Sequence, residues 1–289
     1  MTAAGPRLRR TATAVAAAGC AVALVAGCVE HGAAAAGGPP ASGGGPGGAK
    51  GGDPAAAVRD AADALVRAGS SLVDTSMRMA SGGTWVTVTG TGRFDFARRR
   101  GELTLALPRD AAGAEEHRPI TELLTPGALY MKDRGEGVPA GKWVRVDTTT
   151  LPDGNLVTGG ATEPLAAAEL LRGARDVVLV GEQTLRGAAV RHFRGVADIG
   201  RAARAAEPGA PGALTSAAKG FAVTRVPFDA WLDGDGRLRR LTEHFTFGGS
   251  GGRGVGVVST TDFDGFGTRV VLAMPHGTDI WTGKIVSSL

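Results

Sequence analysis

The sequence holds only two cysteines in 289 residues, Cys20 and Cys28, and both lie before residue 29. The rest of the chain therefore has no internal disulfide, no thiolate nucleophile and no cysteine-based metal site. Aromatic residues are scarce, at 5 %, with a single tyrosine. The histidines are His31, His117, His192, His244 and His276, and no two are spaced three or four apart, so no local zinc motif is present. An excess of charge is lacking too, since 32 basic residues face 28 acidic ones. Three of the arginines fall in the first ten residues, and the remainder is close to balance. That is not the charge of a nucleic-acid-binding chain.

What is present begins at the N-terminus. Arg7, Arg9 and Arg10 precede an apolar run over 12–26, and Val25-Ala26-Gly27-Cys28 follows. A basic start, a short apolar stretch and small residues before a cut site describe a secretory leader. The run is shorter than the roughly 20 residues of a spanning helix. A cysteine directly after Val-Ala-Gly makes the leader a lipobox, with a thiol placed to take a diacylglyceryl group. Cys20 follows Ala-Ala-Gly but leaves too short an apolar run before it. The expectation is a signal peptide over 1–27 and a lipid on Cys28. Tandem arginines suggest twin-arginine export, but Thr-Ala-Thr after them lacks a large apolar residue, so general export fits better.

Residues 28–53 read as a flexible tether. Gly, Ala and Pro dominate and leave nothing to bury, so ordering this stretch has no compensation. About 25 flexible residues span roughly 25–30 Å, which holds a body clear of a membrane surface yet close to it.

The folded body is expected over 54–289. Asp53-Pro54 is a helix start, with Asp as cap and Pro at the first position. Val58, Ala62, Leu65 and Val66 then share a stripe, which predicts a helix over 54–68. Beyond Gly69 the period changes to two. Alternation predicts strands over 84–96, 103–107, 128–132, 143–147, 188–196, 227–232, 238–247 and 255–263, and Val177–Val180 is a short apolar run. Helices are expected over 162–172, 199–206 and 213–220. The fold class is therefore α+β, a long antiparallel meander with helices inserted. A strongly twisted sheet of this many strands tends to curl, and its concave face must be covered. Alternation alone leaves open whether the space beneath the helices is filled or forms an apolar pocket.

Three stretches resemble LppX/LprG-type actinobacterial lipoproteins, whose fold is like that of the carrier LolA. The first is Gly141-Lys142-Trp143-Val144-Arg145-Val146-Asp147. The second pairs Val180-Gly181-Glu182 and Gly187 with His192-Phe193-Arg194-Gly195-Val196-Ala197-Asp198. The third is Phe228-Asp229-Ala230-Trp231-Leu232-Asp233-Gly234-Asp235-Gly236-Arg237-Leu238. Order and spacing also match, and the resemblance covers most of 54–268. Phe193 stands where tyrosine is common, Phe228 and Ala230 stand where valine is usual, and 269–289 has no counterpart. The resemblance implies a LolA-like half-barrel sheet with helices on its concave side, enclosing a cavity that in several relatives binds lipids or lipidated molecules. It brings no catalytic residues.

The remaining motifs read as structure. Asp233-Gly234-Asp235-Gly236 imitates the start of a calcium loop, but the twelfth position is His244, where an EF-hand has Glu. Asp-Gly between apolar runs is a hairpin signal. Gly248-Gly249-Ser250-Gly251-Gly252 fits a nucleophile elbow by letter, yet a strand and not a helix is expected after it. Glu115-Glu116-His117-Arg118 reads as an exposed loop. Trp85, Trp143, Trp231 and Trp281 read as core or sheet-surface residues unless they converge.

Together these readings favour an envelope lipoprotein on the extracytoplasmic face of the cell membrane. It would hold a lipid or lipoconjugate and carry or present it. Its expected lining is Leu103, Leu105, Leu107, Leu123, Leu124, Leu129, Leu165, Leu170 and Leu171. Neither cofactor, metal, catalytic group nor nucleic-acid partner is expected. The alternatives are a packed structural, sensing or interaction lipoprotein with an envelope protein partner, and an envelope hydrolase. The hydrolase is disfavoured because no nucleophile–base constellation is legible.

Overall fold

The first described helix starts where the sequence places it. Asp53 Oδ1 accepts from Ala55 N at 3.0 Å, and Pro54 opens the helix. The structure, a computed structural model, describes residues 52–81, 83–108, 118–132, 134–135, 137–206, 212–248 and 254–283. The leader, Cys28 and the tether up to residue 51 lie outside the described residues, as do His31, His117 and the Ser250 motif.

The expected single helix over 54–68 is two: α1 (Pro54–Arg59) and α2 (Ala61–Ala68), separated at Asp60. The break lets Val58 and the set Ala61, Ala62 and Leu65 all reach full burial, whereas Val66 is 37 % exposed. Gly69 ends α2 with φ +83°, a conformation glycine adopts without Cβ strain.

Eleven strands follow: β1 (Ser70–Ser81), β2 (Thr84–Asp95), β3 (Arg100–Ala106), β4 (Ile120–Thr125), β5 (Ala128–Lys132), β6 (Trp143–Asp147), β7 (Ala174–Leu185), β8 (Ala188–Asp198), β9 (Arg225–Leu232), β10 (Leu238–Phe247) and β11 (Val255–Asp264). They form one antiparallel sheet in the order β6-β5-β4-β3-β2-β1-β11-β10-β9-β8-β7. The chain meanders outward from the centre to β6, crosses beneath the sheet, then meanders inward from β7 to close against β1. The crossing, residues 148–173, carries α3 (Pro164–Leu170). Two more helices, α4 (Ile199–Ala205) and α5 (Ala213–Gly220), lie between β8 and β9. The helices cover one face, with α1 on β7, α4 on β8, α2 on β1 and β10, and α3 on β10. The fold is α+β, a curved antiparallel sheet with helices on its concave face.

Register explains which side chains point inward. Met77 of β1 lies opposite Val88 on one side and Ser259 on the other, while Leu103 pairs with Gly92 and Leu105 with Gly90. Small residues are required at two of these sites. A Cβ on Gly92 would sit 1.9 Å from the Glu102 carbonyl oxygen, and one on Gly90 would sit 2.5 Å from Leu105 Cδ2. β3 thus approaches β2 too closely for a side chain at either position.

The two sheet edges differ. At β6, the tail after β11 returns so that Ile280 bridges Trp143, and Trp281 N donates to the Trp143 oxygen at 2.8 Å. The tail, which had no assigned counterpart, therefore covers part of one edge. At β7 the run Val178, Leu179 and Val180 is about half exposed. The β7–β8 hairpin ends in Arg186, which reaches Asp74 Oδ2 at 2.8 Å and Asp262 Oδ2 at 3.1 Å. Among the described residues no helix is long and apolar enough to cross a membrane.

Candidate functional site

The candidate site is the interior between sheet and helices. Leu103, Leu105, Leu124, Leu129, Leu165, Leu170 and Leu171 all lie in its apolar core, each exposed by 3 % or less. Leu107 is half-buried and packs against that core. Leu123 is a correction. It is buried but lies outside the cluster, with Glu102 and Tyr130 as its register partners. Adjacent residues of a strand face opposite sides, so Leu123 and Leu124 cannot line one interior.

The crossing segment forms a strap over the inner face. Asp153, fully buried, ties it into shape: Oδ2 accepts from Val157 N at 2.8 Å and Thr158 N at 2.7 Å, and Oδ1 from Asn155 N at 3.1 Å. Asn155 adopts φ +65°, a region asparagine tolerates better than most residues. Leu156, Val157, Ala161 and Thr162 are then driven inward. Thr162 Oγ1 donates to the Leu156 oxygen at 2.8 Å and lies 2.7 Å from Ser259 Oγ on β11. At the other end Arg134 donates to the Gly159 oxygen at 2.7 Å. Arg99 holds Glu169 of α3 through an ion pair.

Sequence reading missed the acids of this interior. Glu122 of β4 points inward opposite Leu103 and is fully buried, and neither carboxyl oxygen has a partner. Burial pushes its carboxyl up to about 8, against the attraction of Arg134. Glu243 of β10, opposite Ser259 and Phe228, is 1 % exposed and has one oxygen without a partner. Burial alone holds its carboxyl well above the usual range. Glu163, at the start of α3, is raised to about 7 by burial and by Glu169, against Arg99. Near neutral pH the Glu122 carboxyl keeps its proton, so it can donate one hydrogen bond as well as accept. The signal was available in Ile120-Thr121-Glu122-Leu123-Leu124, where a strand period places Glu122 with Ile120 and Leu124.

The other candidates resolve as structure. His192 Nε2 lies 2.6 Å from Asp229 Oδ1, and its ring stacks on Trp231 at 4.3 Å. Arg240 covers Trp231 as well. His244 is exposed. Asp233 closes the β9–β10 turn by accepting from Asp235 N and Arg237 N, each at 3.0 Å, and pairs with the Arg237 guanidinium. Its oxygens are thus engaged within the hairpin. The described tryptophans do not converge: Trp85 is on β2, Trp231 on β9, and Trp143 meets Trp281 at the β6 edge. Among the described residues no group of His, Cys, Asp and Glu is arranged to hold a metal ion. β10 and β11 flank the Ser250 segment, and the residues after it resume a strand.

Sheet, strap and helices define the class, an α+β protein built as one curved antiparallel sheet with a covered concave face. No family model matches the chain, and no curated protein matches it. Among solved structures it is similar to the lipoprotein LppX of Mycobacterium tuberculosis, at 11 % identity over 73 % of this chain and 94 % of that one, with a TM-score of 0.42. It is similar to LprF from Mycobacterium bovis at 13 % identity, covering 78 % and 97 %, with a TM-score of 0.41. A putative outer membrane lipoprotein-sorting protein domain from Vibrio parahaemolyticus aligns at 8 % identity, covering 72 % and 89 %, with a TM-score of 0.29. A likeness of this degree assigns no ligand, partner or role.

Proposed function

We propose that the protein is an exported lipoprotein, anchored through Cys28 to the extracytoplasmic face of the cell membrane. In this reading residues 1–27 are the leader, 28–53 the tether and 54–289 the ligand-holding body. The body takes a lipid or lipoconjugate between sheet and helices and carries or presents it in the envelope. One observation supports this best. The inner face of the sheet is broadly apolar, yet Glu122 and Glu243 stand in it with unpartnered oxygens. Buried polar atoms usually find a partner. An apolar ligand bearing hydroxyl or amide groups supplies partners to these carboxyls and acyl surface to the leucines. Burying acyl chain contributes about 0.8 kcal/mol per CH2. The cover is a strap and short helices, tied to the sheet by side-chain contacts at Thr162, Arg134 and Arg99. Such a cover can lift without breaking the sheet.

Native mass spectrometry of protein purified from its own host tests this. The expected result is a mass adduct that organic extraction releases as lipid. Protein that carries none, and that takes up no fluorescent lipid after purification, would overturn it. A second reading has its own support. The half-exposed run Val178–Val180 on the β7 edge is the kind of surface a packed interaction lipoprotein presents to an envelope partner.

A further inference from the structure

A hollow lies outside the interior, at the end of the sheet where α2 enters β1. It has a volume of about 470 Å³ and sits between the β2–β3 turn and the tail after β11. Such a volume lies within the range of small-molecule sites. Three arginines line it, Arg98, Arg100 and Arg269, with one acid, Asp95. Asp95 is already taken: its oxygens accept from Arg98 N at 2.8 Å and Arg98 Nη1 at 2.9 Å. No acid among the described residues pairs with Arg100 or Arg269. The Nε of Arg100 is buried without a partner. The tail is fixed here, since Ser70 Oγ donates to the Thr268 oxygen at 2.6 Å and Gly267 N donates to the Ser70 oxygen at 2.9 Å. Those bonds hold Arg269 beside the turn that carries Arg98 and Arg100. Val270, Val271 and Leu272, which follow Arg269 in the chain, also line it, and Val271 is 60 % exposed.

Each feature points the same way. Like charges held together without a counter-charge repel, and an unpaired buried donor is costly. A phosphate group supplies the missing counter-charge. It offers several acceptor oxygens to guanidinium forks, which bind phosphate bidentately. The apolar wall beside the cations suits the carbon chain of an amphiphile whose head is the anion. We infer that this groove binds a phosphate-bearing ligand through Arg100 and Arg269, with its apolar part along Val270–Leu272. The ligand is either a soluble phosphate compound or the headgroup of an anionic lipid at a bilayer surface. The groove is separate from the interior, so this inference stands or falls apart from the reading above.

The test uses the full chain without its leader, with Cys28→Ser to remove any anchor. Its arms are inorganic phosphate, vesicles of phosphatidylcholine, and the same vesicles with added phosphatidylglycerol. Saturable binding to phosphate or to the phosphatidylglycerol vesicles is expected, weakening with added salt. In R100Q/R269Q that affinity should fall at least tenfold. R269Q alone changes an exposed side chain and keeps the fold, and a several-fold loss is expected. Phosphate binding without preference among vesicles identifies a soluble ligand, and preference for phosphatidylglycerol vesicles identifies a headgroup. Unchanged affinity in R100Q/R269Q, or an equal loss in the distant variant R201Q, would overturn the inference.

Discussion

A carboxyl group inside a protein without a partner resists ionisation, and Glu122 has two such oxygens. Its pH dependence follows from the direction of the shift. The folded protein holds the proton up to about pH 8, whereas an exposed glutamate loses it near 4.5. Stability from this group is therefore complete below about pH 4.5 and is lost as pH rises toward 8. Over pH 5 to 8 the loss is on the order of 3 kcal/mol. Urea unfolding of Glu122→Gln should show a flatter pH profile and a variant more stable than the parent at pH 8. Equal pH slopes for the two proteins would contradict a proton on Glu122. Glu243 and Glu163 are shifted in the same direction, so part of the parent's slope survives in this variant.

Among the elements, the most restrictive contact is at β2. The Cβ of Gly92→Ala would meet Glu102 backbone atoms that cannot rotate away. We expect a loss of about 3 kcal/mol or more, seen as a large drop in Tm, because backbone and not a side chain must move. The β7–β8 hairpin offers a milder case. Arg186 ties its tip to Asp74 and Asp262, but the guanidinium is 42 % exposed and Asp262 is also held by Arg240. Arg186→Ala should cost about 1 kcal/mol or less. Faster hydrogen exchange confined to residues 182–190 is its expected signature. Legibility varied between elements in the same way. Strands with clean alternation, such as β9 and β10, could be read directly. β1 could not, because Thr75 points inward while Leu72 is 49 % exposed on the outer side. β4 was hidden because its inward row contains Glu122. In the interior the leucines were legible as apolar positions. Leu123 was misplaced because two adjacent leucines carry no phase. The strap over 153–162 was unreadable from periodicity, since its form rests on Asp153 bonding to its own loop.

On the scale of the whole molecule, Thr162 of the cover meets Ser259 of β11 through a hydroxyl pair. Replacing both with cysteine places two thiols where a disulfide can form. Oxidised Thr162→Cys/Ser259→Cys should take up fluorescent lipid at least tenfold more slowly than its reduced form, if the ligand enters by lifting the strap. Equal uptake in both states would place the entrance elsewhere.

The partial cover at β6 has a consequence for how chains could join. Growth of strand pairing from molecule to molecule needs two open edges on each unit, as a polymer needs two reactive ends. Among the described residues no strand pairs with the outer edge of β7, while β6 is met by Ile280 and Trp281. Two molecules meeting through β7 would leave β6 edges outward, each met at Trp143 by its own tail, which disfavours further pairing there.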